Sequence, residues 1–432
     1  MAMNAQMSGR GRASSTTSIV LVVHVGAINP QSGGGQRTAI LFEALKRLGE
    51  VAVLILVEQP LDNVSEFFPG AVKVVQASSR SMTTPPKNML LRSLHAGLRL
   101  VFPETTFSTE RTVAAALGDM LANWHGPGRP AETAMIVSRY FRSFTATGYL
   151  SDPENRAFAV VDIDDRDDHK MSLQIRRRGG NLIGSLAHVI LIGRFQRLML
   201  RKLGGTSLVL LAKDRDRFDR LMKPQVIVPN VPFNARGEPA PVEARSESLL
   251  FVGVPGHRPN LAGVTWFLRA CWPAVRAARP AARFRIVGLG DWSALPADLA
   301  AQPGVEVVGG VDDLAPEYGQ ARAAICPILE GAGSQIKVIE ACAYGRPVVS
   351  TAFASGGFGP EIERALSVAS DPAGFAQACI DLLADPARAA RQGATLRALQ
   401  QATHSREAVE NLIVTTLTDL VASVGPDRKV PS

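Results

Sequence analysis

Short, continuously apolar runs recur along the whole chain, and each is followed by a stretch with helical spacing. The first is SIVLVVHV at 18–25, followed by the helical pattern GQRTAILFEALKRLG. VAVLILV (51–57), VKVVQA (72–77), AMIVSR (134–139), AFAVVDID (157–164), SLVLLA (207–212) and QVIVPN (225–230) continue the series. A strand that is apolar on both faces needs cover on both faces, and helices flanking a parallel sheet provide it. The alternation stops at VPFNARGEPAPVEARSE (231–247), rich in Pro and charge and without periodicity. Such a stretch reads as an interdomain linker. It restarts with SLLFVG (248–253), a helix over 261–279, FRIVG (284–288), VEVVG (305–309), AAICPI (323–328), PVVST (347–351) and LSVAS (366–370), and is helical from there to about 424. The expected fold class is therefore α/β, with two doubly wound parallel-sheet domains facing a cleft. The expected boundaries are a disordered polar tail at 1–17, domains at 18–230 and 248–404 around the 231–247 linker, and a C-terminal helix and tail at 405–432.

A chain of 432 residues, 46% apolar and 20% charged, suits two or three domains with ample core. No apolar run reaches the ~18 residues of a spanning helix, and the N-terminus lacks the apolar middle of a signal peptide. The four cysteines (Cys271, Cys326, Cys342, Cys379) lie in apolar runs without metal-ligand spacing, which fits a reducing compartment. The net charge of +8 is concentrated: between His169 and Lys202 stand eight Lys and Arg and no acid.

The stretch LEGAGSQIKVIEACAYGRPVVST (329–351) is the most informative. A helix over 334–344 would cover its broad side with Ile336, Val338, Ile339, Cys342 and Ala343, leaving Lys337, Glu340 and Tyr344 on a narrow stripe. Gly331 and Gly333 allow close backbone approach ahead of a helix N-terminus with Ser334 as its cap, a setting that attracts phosphate. Lys337 adds a full charge one turn in. Glu340, deeper on the stripe, suits a diol, because a carboxylate accepts from two neighbouring hydroxyls. Phosphate first and a diol one turn on is the shape of a nucleoside diphosphate. The competing reading is an ordinary i,i+3 ion pair between Lys337 and Glu340, worth a few tenths of a kcal/mol.

The run from Cys326 to Thr351 resembles the C-terminal signature of the retaining nucleotide-sugar glycosyltransferases of the GT-B fold, the family-four-like group of bacterial envelope and polysaccharide enzymes. Its pattern is P–x–x–x–G–x–G–x–x–x–K–x–x–E–A–x–A–x–G–x–P–V–V. Pro327, Gly331, Gly333, Lys337, Glu340, Ala341, Ala343, Gly345, Pro347, Val348 and Val349 meet every fixed position. FVGVPGHRPNLAGVTWFL, VIVPN and GGGQRTAILFEALKRLG extend the likeness over most of 18–405. The resemblance implies that Glu340 holds the ribose and that Lys337 and Arg258 face the diphosphate. It implies that Gly33, Gly34 and Gly35 form a glycine loop close to the transferred sugar, and that Glu330, Gly331, Gly333 and Ser334 belong to the donor site. It further implies transfer with retention to a glycan or lipid-linked acceptor at the cytoplasmic membrane face, with no cofactor, no metal and no nucleic-acid partner. Two departures stand out. Glu330 and Glu340 are ten residues apart, where the common short form has eight, which leaves the role of Glu330 open. The position five after Arg258, a lysine in many relatives, is Gly263.

VVDIDDRDDH (160–169) ends a strand, and its Asp162 and Asp164 are read as catalytic candidates near the acceptor hydroxyl or the positive charge of the transition state. The plainer alternative is that they cap the next helix. Arg139 and Arg142 in VSRYFRSF either bind an anionic acceptor or are solvated helix charges. VGLGD (287–291) is too short a fragment to argue for a dinucleotide. His24 is expected to be a satisfied core histidine. Leu182, Ile183, Leu186, Val189 and Ile190 form an apolar stripe beside Arg194, Arg197 and Arg201. That pattern fits peripheral binding to an anionic membrane surface, or core packing beside a solvated or glycan-binding basic face. Rival functions are a sugar-nucleotide epimerase, a non-catalytic nucleotide-sugar-binding protein, and a nicotinamide oxidoreductase. The last expects G-x-G-x-x-G after the first strand, where the chain reads AINPQSGGGQ.

Overall fold

The computed structural model describes residues 17–29, 32–79, 109–124, 134–149, 158–164, 193–194, 196–197, 200, 207–213, 217–218, 224–232, 246–331 and 335–423. Among the described residues seven strands form the first sheet: β1 (Thr17–His24), β2 (Gly49–Val57), β3 (Lys73–Ser78), β4 (Ala134–Arg139), β5 (Phe158–Ile163), β6 (Ser207–Leu211) and β7 (Gln225–Ile227), in the order β3-β2-β1-β4-β5-β6-β7. Six form the second: β8 (Ser248–Val252), β9 (Arg283–Val287), β10 (Val305–Gly309), β11 (Ala323–Cys326), β12 (Val348–Ser350) and β13 (Ser367–Val368), in the order β10-β9-β8-β11-β12-β13. Every pairing is parallel.

Apolar residues on successive strand positions explain the layering. Ile19, Leu21 and Val23 enter one core and Val20 and Val22 another, on opposite faces of the first sheet. The labelled helices are α1 (Gly33–Lys46), α2 (Arg111–Trp124), α3 (Phe141–Ala146), α4 (Arg258–Ala270), α5 (Trp272–Ala278), α6 (Ala315–Gln320), α7 (Ile336–Ala343), α8 (Pro372–Ala384), α9 (Pro386–His404) and α10 (Arg406–Ala422); the six-residue helix Pro360–Ala365 and the shorter helical turns are left unlabelled. The expected helix over 261–279 is in fact two, α4 and α5. Cys271 separates them, and Pro273 occupies the first turn of α5, where its missing N–H costs nothing.

Helix α10 returns to the first sheet. Val409, Ile413 and Leu417, one per turn of α10, are buried in the same core as Ile40, Leu41 and Leu45 of α1, and Arg47 donates to Asn411 at 2.9 Å. In each sheet the strand order reverses at one place, between β1 and β4 and between β8 and β11. Open α/β sheets bind ligands in the crevice at the carboxyl ends of such a pair. The four cysteines are buried free thiols. Among the described residues no helix is long and apolar enough to cross a membrane. Most of the basic segment 169–202, including its apolar stripe, lies outside the described residues, as do Gly333 and Ser334.

Candidate active site

The second crevice is built by the loop after β11 and by α7. The helix begins at Ile336, two residues later than expected, after Gln335. It ends because Gly345, at φ +65°, turns the chain left-handed and returns its N–H to the Cys342 carbonyl at 2.9 Å. Val338, Ile339, Ala341 and Cys342 are buried against the sheet. The entering loop is tied down by Thr351, whose hydroxyl donates to the Ile328 carbonyl and whose N–H reaches the Cys326 carbonyl at 3.3 Å.

Lys337 and Glu340 do not pair. Lys337 Nζ lies 3.2 Å from Gln335 Oε1 and 5.8 Å from the centre of the Phe251 ring. Among the described residues no carboxylate meets it. Glu340 is only 4% exposed, and its Oε2 accepts from the Tyr318 hydroxyl at 3.1 Å. Tyr318 lies flat on Tyr344, ring centres 4.4 Å apart and planes 13° from parallel. Burial, and then the Glu340 charge, push the Tyr318 phenol well above its ordinary pKa, so it stays a donor. The surface ion pair is therefore absent. In its place stand a half-buried cation and an oriented carboxylate on adjacent turns. Neither the tyrosine stack nor its bond to Glu340 was anticipated, since nothing in PEYGQARA marks a partner for a carboxylate 22 residues on.

Arg258 is the first residue of α4 and exposed, with no partner among the described residues. Glu330 is likewise exposed and Gly331 buried. The missing lysine at 263 has a structural reason. A Cβ on Gly263 would sit 2.5 Å from the Pro327 carbonyl oxygen and 3.1 Å from Ile328, so α4 crosses the end of β11 at backbone contact.

The first crevice differs more from expectation. Gly33, Gly34 and Gly35 are the opening turn of α1, not a loop. Ser32 caps it, accepting from Gly35 N–H at 3.0 Å. Gly35 is required sterically, because a Cβ there would lie 1.8 Å from the Asn29 carbonyl oxygen. Asp162 is 1% exposed and held by two arginines. Arg37 Nη2 is 2.6 Å from Oδ1, with Nε 3.0 Å from Oδ2, and Arg139 pairs with Oδ2. Arg37 also donates to the Val228 carbonyl at 2.6 Å and to Asn230 Oδ1 at 3.0 Å, where the chain leaves the first sheet. Arg139 is fully buried. Burial alone would weaken its hold on a proton, but Asp162, helped by Tyr140 and Asp164, more than reverses this and raises its pKa. Asp162 thus clamps Arg37 and Arg139 inside the domain, its charge matched twice. Arg139 is neither solvated nor an anion site. Asp164, 14% exposed, is nearer the surface and accepts from Asn230 Nδ2 at 3.0 Å. Sequence reasoning missed Arg37.

His24 is partly the core histidine expected. Its Nδ1 accepts from Gly26 N–H at 3.0 Å, but its buried Nε2 has no partner among the described residues. Burial, and then Arg142, lower its pKa. Tyr140, between β4 and α3, has φ +68° and ψ 143°, a conformation costing a bulky residue roughly 1–3 kcal/mol.

Residues 246–385 match the family described as Glycosyl transferases group 1. No curated protein matches the chain by sequence. Among solved structures the chain is similar to TarM (12% identity, TM-score 0.60, covering 94% of this chain and 98% of that one). It is similar to WaaG, described as a glycosyltransferase involved in lipopolysaccharide biosynthesis (13%, 0.57, 93% and 99%). It is also similar to HepE of Anabaena in complex with UDP (12%, 0.59, 93% and 100%). The two parallel-sheet domains are the GT-B fold.

Proposed function

We propose that this chain, a GT-B protein whose residues 246–385 form a glycosyl transferases group 1 domain, is a glycosyltransferase. It moves a sugar from a nucleoside diphosphate donor to a glycan or lipid-linked acceptor, with retention of configuration. The observation that carries this reading is the separation of Lys337 from Glu340. A lysine with no acid beside it among the described residues suits a diphosphate, and a carboxylate oriented by Tyr318 suits a ribose diol. Arg258 supplies a second cation at the first turn of α4, where backbone N–H groups also favour phosphate.

The chemistry follows from this placement. As the bond between sugar and diphosphate breaks, negative charge grows on the leaving phosphate and positive charge on the sugar ring. Fixed cations that strengthen their hold as the charge grows accelerate that step, and no covalent enzyme nucleophile is needed. HepE, which shares the fold, has been crystallised with UDP-glucose, which supports a uridine donor as the first to try. The part of the basic segment 169–202 outside the described residues is proposed as a contact for an anionic membrane face, which would bring a lipid-linked acceptor to the cleft.

The test is a thermal-shift screen of nucleoside diphosphates and their sugars, since a ligand bound to the folded chain raises its melting temperature by mass action. A shift with one base across several sugars, and turnover once an acceptor is added, is the expected result. Donor consumption without acceptor would favour the epimerase reading, and binding without any turnover the non-catalytic one. No shift with any nucleotide would remove the function proposed.

A further inference from the structure

Tyr140 stands at the reversal point of the first sheet in a backbone conformation that aromatic residues rarely adopt. Asn63 is the other described non-glycine residue with positive φ, and asparagine tolerates that region far better. The contacts that hold Tyr140 include the following. Its N–H donates to the Asp162 carbonyl at 2.8 Å. The Arg139 guanidinium lies 4.6 Å from the centre of its ring, with Nη2 3.4 Å from its phenol oxygen. That phenol oxygen also fills the space left by the absent side chain of Gly34, since a Cβ there would be 2.8 Å from it. Gly34 is thus a seat, and the Tyr140 hydroxyl rests in it over the first turn of α1.

The backbone conformation alone does not call for a tyrosine. A glycine at 140 would take the same dihedral angles without strain and keep the same N–H bond to Asp162. Arg139 is fixed independently, by Asp162 and by Thr38 Oγ1 at 3.0 Å. Strain of this kind persists where the surroundings over-determine it, commonly at sites that grip a ligand. The crevice between β1 and β4 is where an open sheet of this order binds one. A phenol hydroxyl donates and accepts but carries no charge, so it fits a sugar hydroxyl better than a phosphate.

We infer that Tyr140 is a sugar-contacting residue, its hydroxyl set over Gly34 to hydrogen-bond the sugar carried by the donor. This rests on the nucleotide-sugar reading above. The test titrates UDP and UDP-glucose, and GDP and GDP-mannose, into the full-length wild type, Y140F and Y140G by calorimetry. Y140F is expected to weaken the nucleotide sugar three- to tenfold and to leave the free diphosphate within twofold. Y140G should do the same while melting at or above the wild-type temperature. Equal nucleotide-sugar affinity in wild type and Y140F overturns the inference and leaves the nucleotide-sugar reading standing. A parallel loss for diphosphate and nucleotide sugar also overturns it, since Tyr140 would then be a prop of the cleft. A lower melting temperature for Y140G shows that the tyrosine serves stability and overturns it too. If the wild type binds none of the four compounds, both readings fall together.

Discussion

The Tyr318 hydroxyl donates to Glu340 Oε2 at 3.1 Å, from a ring pinned face to face on Tyr344. One oxygen of a buried carboxylate is therefore already engaged and its plane is set before any ligand arrives. If that carboxylate holds a ribose, Glu340→Gln should weaken nucleoside diphosphate binding tenfold or more, as hydrogen bonds to a charged group carry roughly 1.5–3 kcal/mol. Tyr318→Phe should weaken it less, about three- to tenfold, because the carboxylate remains but is free to turn. Calorimetry with the nucleotide found by screening decides this. Full affinity in a folded Glu340→Gln variant would remove Glu340 from the site.

Lys337→Ala and Arg258→Ala should each lower turnover more than they weaken donor binding, because the leaving diphosphate gains charge in the transition state. Steady-state kinetics with the true donor and acceptor separate the two effects. Wild-type turnover in both variants would end the electrostatic account.

Activity should survive EDTA. Asp162 is held by Arg37 and Arg139, so a dication there would have to displace two buried guanidinium groups. Loss of turnover on chelation, with recovery on adding Mn²⁺ or Mg²⁺, would reverse that expectation.

Gly263→Ala should destabilise the chain although alanine is the better helix former. The added methyl meets the Pro327 carbonyl oxygen at 2.5 Å, and a backbone oxygen one residue past the end of β11 has little room to swing away. Overpacking of this kind costs about 1–3 kcal/mol, against the ~1 kcal/mol that helix propensity returns. Urea unfolding of the full chain measures the net loss, and an unchanged or raised midpoint would show that the helix can move aside.

His404 links stability to acid. It ends α9 with its ring near Phe358, at 4% exposure, and burial lowers its pKa to about 4 from the ordinary 6.5. The unfolded chain takes a proton there below about pH 6.5 and the folded chain only near 4. Stability is thus unaffected by this group above 6.5, falls between 6.5 and 4, and levels off below. The full drop is roughly 3 kcal/mol. His404→Phe should lose less stability than wild type between pH 7 and 4.5. Parallel losses in the two proteins would show that the ring titrates normally.

Much of the architecture is readable in the chain because buried parallel strands must be continuously apolar, and the stripe of Lys337 and Glu340 follows from helical spacing. The first crevice is different. Arg37 and Asp162 are 125 residues apart, and no local pattern says that a charge in the first helix and one near a strand end will satisfy each other. Read singly, each looks like a group waiting for a ligand. Gly263 misleads for the opposite reason: it resembles a lost lysine, while its real constraint is the backbone of Pro327, which no local pattern near 263 discloses.

The return of α10 to the first sheet bears on how the chain is made. Val409, Ile413 and Leu417 complete a core whose strands are synthesised before the second sheet, so this first domain is finished by a helix that is translated only after that whole sheet. Until then, the apolar face of α1 and its neighbours lacks part of its cover while the whole second sheet is translated and folds. The N-terminal domain is thus an unfinished body through most of synthesis, and exposed apolar surface of that kind is what nascent chains hide with chaperones. A stop codon before residue 406 would remove no strand, yet it would leave that first domain permanently in the state it normally occupies only in transit.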